Sequence, residues 1–183
     1  MSEEYLVRHC SPTLAGLKTA NLFTFPYQNR EDVLEAVRKM NRRLRDKGLR
    51  MVILRFSGKN ALIYLYRPRK LRADMADSQA AALLREKGYD PARCDRCVAQ
   101  LMRRMDQQKD FPHEIGLFLG YPPEDVRGFM EYGPDCCKCT GCWKVYGDEA
   151  AAKKKFALYR KCTRVYCHQW ANGKDIERLT VVG

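Results

Sequence analysis

Met51-Val52-Ile53-Leu54-Arg55-Phe56-Ser57-Gly58-Lys59-Asn60-Ala61-Leu62-Ile63-Tyr64-Leu65-Tyr66 is the stretch on which the fold turns. Its arms, 51–56 and 61–66, are apolar runs of β-prone residues, and Ser57 to Asn60 supply turn residues at hairpin spacing. The expectation is an antiparallel hairpin. Just before it, Glu31 to Lys47 sets Val33, Val37, Met40 and Leu44 on one helical face with charges opposite, and Gly48 is the stop.

Working outward, Leu22 to Phe25 reads as a short strand. Ser11-Pro12 reads as the cap and first turn of a helix through Leu14 to Lys18, because a serine hydroxyl satisfies free amides and proline is tolerated there. After a basic connector, Asp77 caps a helix over Ser78 to Lys87, and Asp90-Pro91 opens another that runs to about Gln107. Pro112 to Leu119 and the segment from Pro122 through Met130 read as shorter helices. Cys142 to Tyr146 is strand-like, and Asp148 opens a long helix with Phe156, Tyr159, Thr163, Tyr166 and Trp170 on one stripe. Arg178 to Val182 offers a last strand. The sum is an α+β fold in a single domain over residues 1–183, with an antiparallel or mixed sheet packed against several helices.

The chain has 183 residues, enough to build a core without disulfides, so its nine cysteines are not needed as staples. Their odd number and clustered spacing, and an N-terminus without a basic start and an apolar stretch, point to a reducing cytoplasmic location. No run of about 18 apolar residues suggests a membrane span. Lys and Arg outnumber Asp and Glu by 34 to 22, a net charge of +12. Arg38, Arg42, Arg43, Arg45 and the run Arg67 to Arg72 would suit an anionic partner, with a nucleic acid as one reading. Solvated helix faces explain the same charges.

Four of the nine cysteines fall in Cys136-Cys137-Lys138-Cys139-Thr140-Gly141-Cys142. Thiolates are soft metal ligands and redox nucleophiles. The Cys139-Thr140-Gly141-Cys142 spacing lets a tight turn aim two sulfurs at one metal, and Cys162 on the last long helix can complete the set. Cys94 and Cys97 repeat the spacing, but too far away for a four-cysteine zinc ribbon. Iron, an iron–sulfur cluster or zinc are the candidate cofactors, with a metal or redox protein as the matching partner.

A different chemistry starts from Cys10, which precedes the expected helix start, where free amides would stabilise a thiolate. His113 is the candidate base and Glu114 the carboxylate that orients it, giving a cysteine nucleophile for acyl or sulfur transfer. Thr13 to Lys18 can present amides and the Lys18 ammonium to a phosphate, so Thr13 and Lys18 are candidate cofactor-binding residues, though the spacing is not that of a P-loop.

Four blocks carry a family resemblance: His9-Cys10-Ser11-Pro12-Thr13-Leu14-Ala15-Gly16-Leu17-Lys18, Phe111 through Val126, Cys139 through Tyr146, and Lys161-Cys162-Thr163. They resemble the bacterial family called domain of unknown function 3793, found largely in anaerobic Firmicutes, over nearly the whole chain. The resemblance brings no reaction or ligand. It implies a role in metal or redox homeostasis and draws attention to Cys10, His113, Glu114, Cys139, Cys142 and Cys162.

Overall fold

In the computed structural model, which describes residues 2–107 and 110–183, the hairpin forms as its sequence requires. Strands β2 (Arg50–Ser57) and β3 (Asn60–Tyr66) pair antiparallel, and β1 (Ala20–Pro26) adds to the other side of β3, giving the order β1-β3-β2. Alternation sends Tyr64 and Tyr66 to one face and Ile63 and Leu65 to the other. In β2 the register shifts between Ile53 and Arg55, so Met51 and Phe56 reach the same face despite their odd spacing.

Both faces of the sheet are covered, so the strands are apolar on both sides. Helices α1 (Glu3–Leu14) and α2 (Arg30–Leu44) cover the Ile63 face. On the Tyr64 face pack α3 (Pro68–Ala76), α4 (Ser78–Glu86), α5 (Cys94–Gln107), α6 (Ile115–Phe118) and α7 (Pro123–Tyr132). The Tyr64 hydroxyl donates to the Phe118 carbonyl at 2.6 Å, which fixes α6 against the sheet. A small hairpin, β4 (Cys139–Thr140) with β5 (Lys144–Val145), makes a third cluster through Trp143, Val145 and Phe156 on the long helix α8 (Glu149–Ala171). The C-terminal half of α8 packs on α1 and the Ile63-face core, and α9 (Ile176–Leu179) closes the chain. This is an α+β fold with nine helices, a three-stranded antiparallel sheet and a two-stranded hairpin among the described residues.

Most expected elements appear. Asp77 accepts from the amides of Gln79 and Ala80, and Asp148 caps α8 through the Ala151 amide. Four expectations are corrected. Ser11-Pro12 does not start a helix: α1 begins at Glu3, capped by Ser2, and Ser11 and Pro12 lie in its last turn. The signal was Ser2 with acidic Glu3 and Glu4 behind it, followed by Leu6, Val7, Cys10 and Leu14 at helical spacing. Asp90-Pro91 forms a turn, and α5 starts at Cys94. The basic connector is α3, with Pro68 in its first turn. Residues 178–182 form the end of α9 and an irregular tail rather than a strand.

Candidate functional site

Where α1 ends, the chain must turn into β1, and that corner places Lys18. The amides of Leu17 and Lys18 both fold back onto the Pro12 carbonyl, at 2.9 and 3.0 Å. Next in the chain, Thr19 is held by α3: its hydroxyl donates to Asp74, and its carbonyl accepts from the Arg67 amide at 3.0 Å. Fixed on either side, the Lys18 side chain turns inward and is 7% exposed. Its ammonium lies 5.2 Å from the centroid of the Tyr121 ring, and among the described residues no carboxylate forms an ion pair with it. Burial lowers its pKa to about 8, outweighing the opposite influence of negative charge at Cys142 and Cys10.

Lys18 opens on a cavity of about 640 Å3 at the free edge of β1. α1 contributes His9 and Pro12, β1 contributes Asn21 and Leu22, and α8 contributes Tyr159, Arg160, Thr163 and Arg164. The α8 residues form two adjacent i,i+4 rows, one carrying Tyr159 and Thr163 and the other carrying Arg160 and Arg164. Burial raises Tyr159 to about 12, so it stays a neutral phenol near neutral pH. His9 stacks on Phe23, and burial followed by the Arg8 charge lowers its pKa.

The opposite wall is built by Tyr121 and the β4–β5 turn. Gly120, with φ of +72°, makes the bend before Tyr121, and a Cβ there would run into Thr19. The Tyr121 hydroxyl donates to the Cys142 carbonyl at 3.2 Å, and its ring stacks on Trp143 at 4.9 Å. Asp125, only 3% exposed, holds the turn from below: one oxygen accepts from Trp143 Nε1, and the other accepts from the amides of Tyr146 and Gly147, all at 2.7 Å. Gly141 sits flat on the Phe156 ring of α8 where no Cβ would fit. Its role is close packing rather than an unusual dihedral. The result is that Cys142, an exposed thiol, lines the same cavity as Lys18.

The expected metal ligands do not gather. Cys142 faces Lys18 and the two tyrosines, whereas the neighbours of Cys139 are Glu149, Lys153, Cys137 and Asp125. Cys162 is buried on the inward stripe of α8, and burial raises its thiol to about 11. Among the described residues no three His, Cys, Asp or Glu side chains converge as a metal-holding set. Cys94 and Cys97 are likewise buried in the first turn of α5, and the Cys97 thiol donates to the Asp90 carbonyl at 3.0 Å.

The Cys10, His113 and Glu114 triad is also dispersed. Cys10 is fully buried in the core between α1, α2 and the sheet, where burial raises its pKa, the reverse of the thiolate expected at a helix start. His113 is on the other face of the sheet, edge-on to Phe129. Glu114 accepts from Tyr89 at 3.0 Å and from Arg104 at 2.8 Å, so its partners are structural. The Thr13 hydroxyl donates to the Asn21 side chain at 2.7 Å, which makes Thr13 a support for a cavity residue rather than a phosphate contact. Of the candidate residues, Lys18 lies buried against open volume. Tyr121, Arg160 and Arg164 line the same cavity and were not singled out from the sequence, although Tyr121 stood in a family block and the two arginines share an i,i+4 row.

The family's profile, described as a protein of unknown function (DUF3793), matches residues 6–180. The chain belongs to the DUF3793 family. No curated protein and no solved structure matches it. In this DUF3793 chain the resemblance blocks converge on architecture: His9 through Lys18 shape the α1–β1 corner, Phe111 through Val126 carry Tyr121 and Asp125, and Cys139 through Tyr146 form the turn that Asp125 holds. No helix among its described residues is long and apolar enough to cross a membrane.

Proposed function

We propose that this protein binds a small anionic molecule in the cavity at the edge of β1, with Lys18 as the central cation and Arg160 and Arg164 at its wall. One observation carries the reading. Lys18 is almost wholly buried, lacks a carboxylate partner among the described residues, and faces open volume. A buried ammonium costs stability unless something compensates it, and a cavity with further cations on its wall supplies room for an anion to do so. Cys142 at the same cavity is the thiol through which a cysteine-dependent role would run.

The test is a thermal-shift titration of the full chain with inorganic phosphate and with acetate at low ionic strength, beside Lys18→Met. A saturating rise in Tm that vanishes in Lys18→Met supports the reading. Equal shifts in both proteins, or none in either, would overturn it. A role in metal homeostasis makes a different demand: elemental analysis after anaerobic purification would have to find stoichiometric metal that is lost in Cys139→Ser.

A further inference from the structure

The basic cavity has an apolar neighbour. A second cavity, of about 400 Å3, shares three lining residues with the first, Leu22, Leu119 and Tyr121. Its remaining walls are mainly apolar, with Phe111, Ile115, Val126, Phe129 and Trp143 as the principal side chains. The polar groups at its margin are largely occupied. Asp125 already accepts three hydrogen bonds, Lys144 donates to the Pro134 carbonyl at 2.9 Å, and the His113 ring packs edge-on against Phe129 at 4.9 Å.

Tyr121 lines both spaces. It carries the Lys18 ammonium near its ring and Trp143 stacked on it, and its hydroxyl is tied to the Cys142 carbonyl. Both volumes fall within the roughly 300–1,000 Å3 typical of small-molecule sites. An inorganic anion would fill only the first. A wholly polar ligand long enough to enter the second would lose water there and find few partners.

We propose that the paired cavities receive one amphiphile, its anionic head on Lys18, Arg160 and Arg164 and its apolar chain passing Leu22 and Leu119 into the space beside Phe129. The head is a carboxylate or a phosphate monoester, since either suits two arginines and a lysine. This rests on the anion reading above and specifies the ligand class. Specificity divides accordingly, with the cations orienting the ligand and the apolar space measuring its chain.

The experiment is calorimetric titration of the full chain with straight-chain carboxylates from butanoate to dodecanoate and with n-alkyl phosphates of matching length, each kept below micelle formation. Affinity is expected to tighten with every methylene that enters the apolar cavity, up to about fourfold per methylene, and then to level off when the cavity is full. Comparing the two series tells a carboxylate head from a phosphate head. Phe129→Asp, at a half-buried position, is expected to flatten the dependence on length. Lys18→Met is expected to weaken long and short ligands alike by tenfold or more.

If butanoate and dodecanoate bind the parent protein equally, the amphiphile proposal fails while the anion reading stands, and this comparison needs no variant to fold. Long chains that bind as well to Lys18→Met as to the parent would place the head elsewhere and overturn the proposal. Absence of binding by every member of both series would overturn both readings.

Discussion

Burial of Lys18 sets a pH dependence whose sign follows from proton counting. Its folded pKa of about 8 lies below the ordinary 10.5, so between those values the unfolded chain holds more protons than the folded one. The Lys18 contribution to stability therefore rises with pH from about 8 to about 10.5, by an amount on the order of 3 kcal/mol, while the buried thiols of Cys10, Cys94 and Cys162, which burial keeps protonated, act in the opposite sense over the same alkaline range. Urea denaturation of both proteins across that range checks it: Lys18→Met should be more stable than the parent at pH 7, and the difference between the two should shrink as pH rises toward 10.5. Anion binding has the opposite dependence, because the ammonium that attracts the ligand is lost as pH rises through about 8. A residue that weakens the fold while serving a cavity fits a functional position better than a structural one.

The β4–β5 turn shows how one element can be positioned by its neighbours rather than by itself. Two residues per strand are too few for independent stability, so the hairpin relies on Asp125 beneath it and Phe156 beside it. Gly141→Ala would force a methyl group into the Phe156 ring. The expected outcome is a loss of about 1–3 kcal/mol by denaturation, with altered Trp143 fluorescence and weaker anion binding because Cys142 and Tyr121 shift with the turn. Gly141 was legible as part of a tight turn, but its contact was not, since Phe156 belongs to another element. The amphipathic helices α2 and α8 were readable for the converse reason, as their caps and apolar stripes are written within a few turns of chain.

Across the whole molecule, Arg67 is the side chain that joins distant segments. Only 2% exposed, it donates to the carbonyls of Thr13 and Leu14 at the C-terminus of α1, to Lys47 after α2, and to Val181 in the tail. A cation there also complements the negative end of the α1 dipole. Arg67→Met would leave these carbonyls short of donors and is expected to cost about 3–5 kcal/mol, with faster hydrogen exchange at the Val181 amide, which bonds Leu14. Arg67→Lys should recover only part of this, because an ammonium cannot reproduce the planar fork. Arg43 makes a second long-range tie: it pairs with Glu3 and donates to Glu177 Oε2 at 2.7 Å, joining α2 to both ends of the chain. Two residues of the apparent basic surface are thus engaged in holding the fold together.

The hairpin at 51–66, the amphipathic helix before it and the caps at Asp77 and Asp148 were determined by the chain's own local order, because turn chemistry, periodicity and capping act between residues a few positions apart. Helix α1 was local as well, but its Ser2 start was masked by a Ser-Pro pair that mimics a start while lying near the end. The site was decided by packing over long range. Cys10 and His113 ended on opposite faces of the sheet, Cys139, Cys142 and Cys162 acquired different neighbours, and Lys18 met Tyr121 and the arginines of α8. Spacing in sequence specifies which residues share an element, whereas which elements bring their side chains to one cavity depends on burying apolar faces across the molecule.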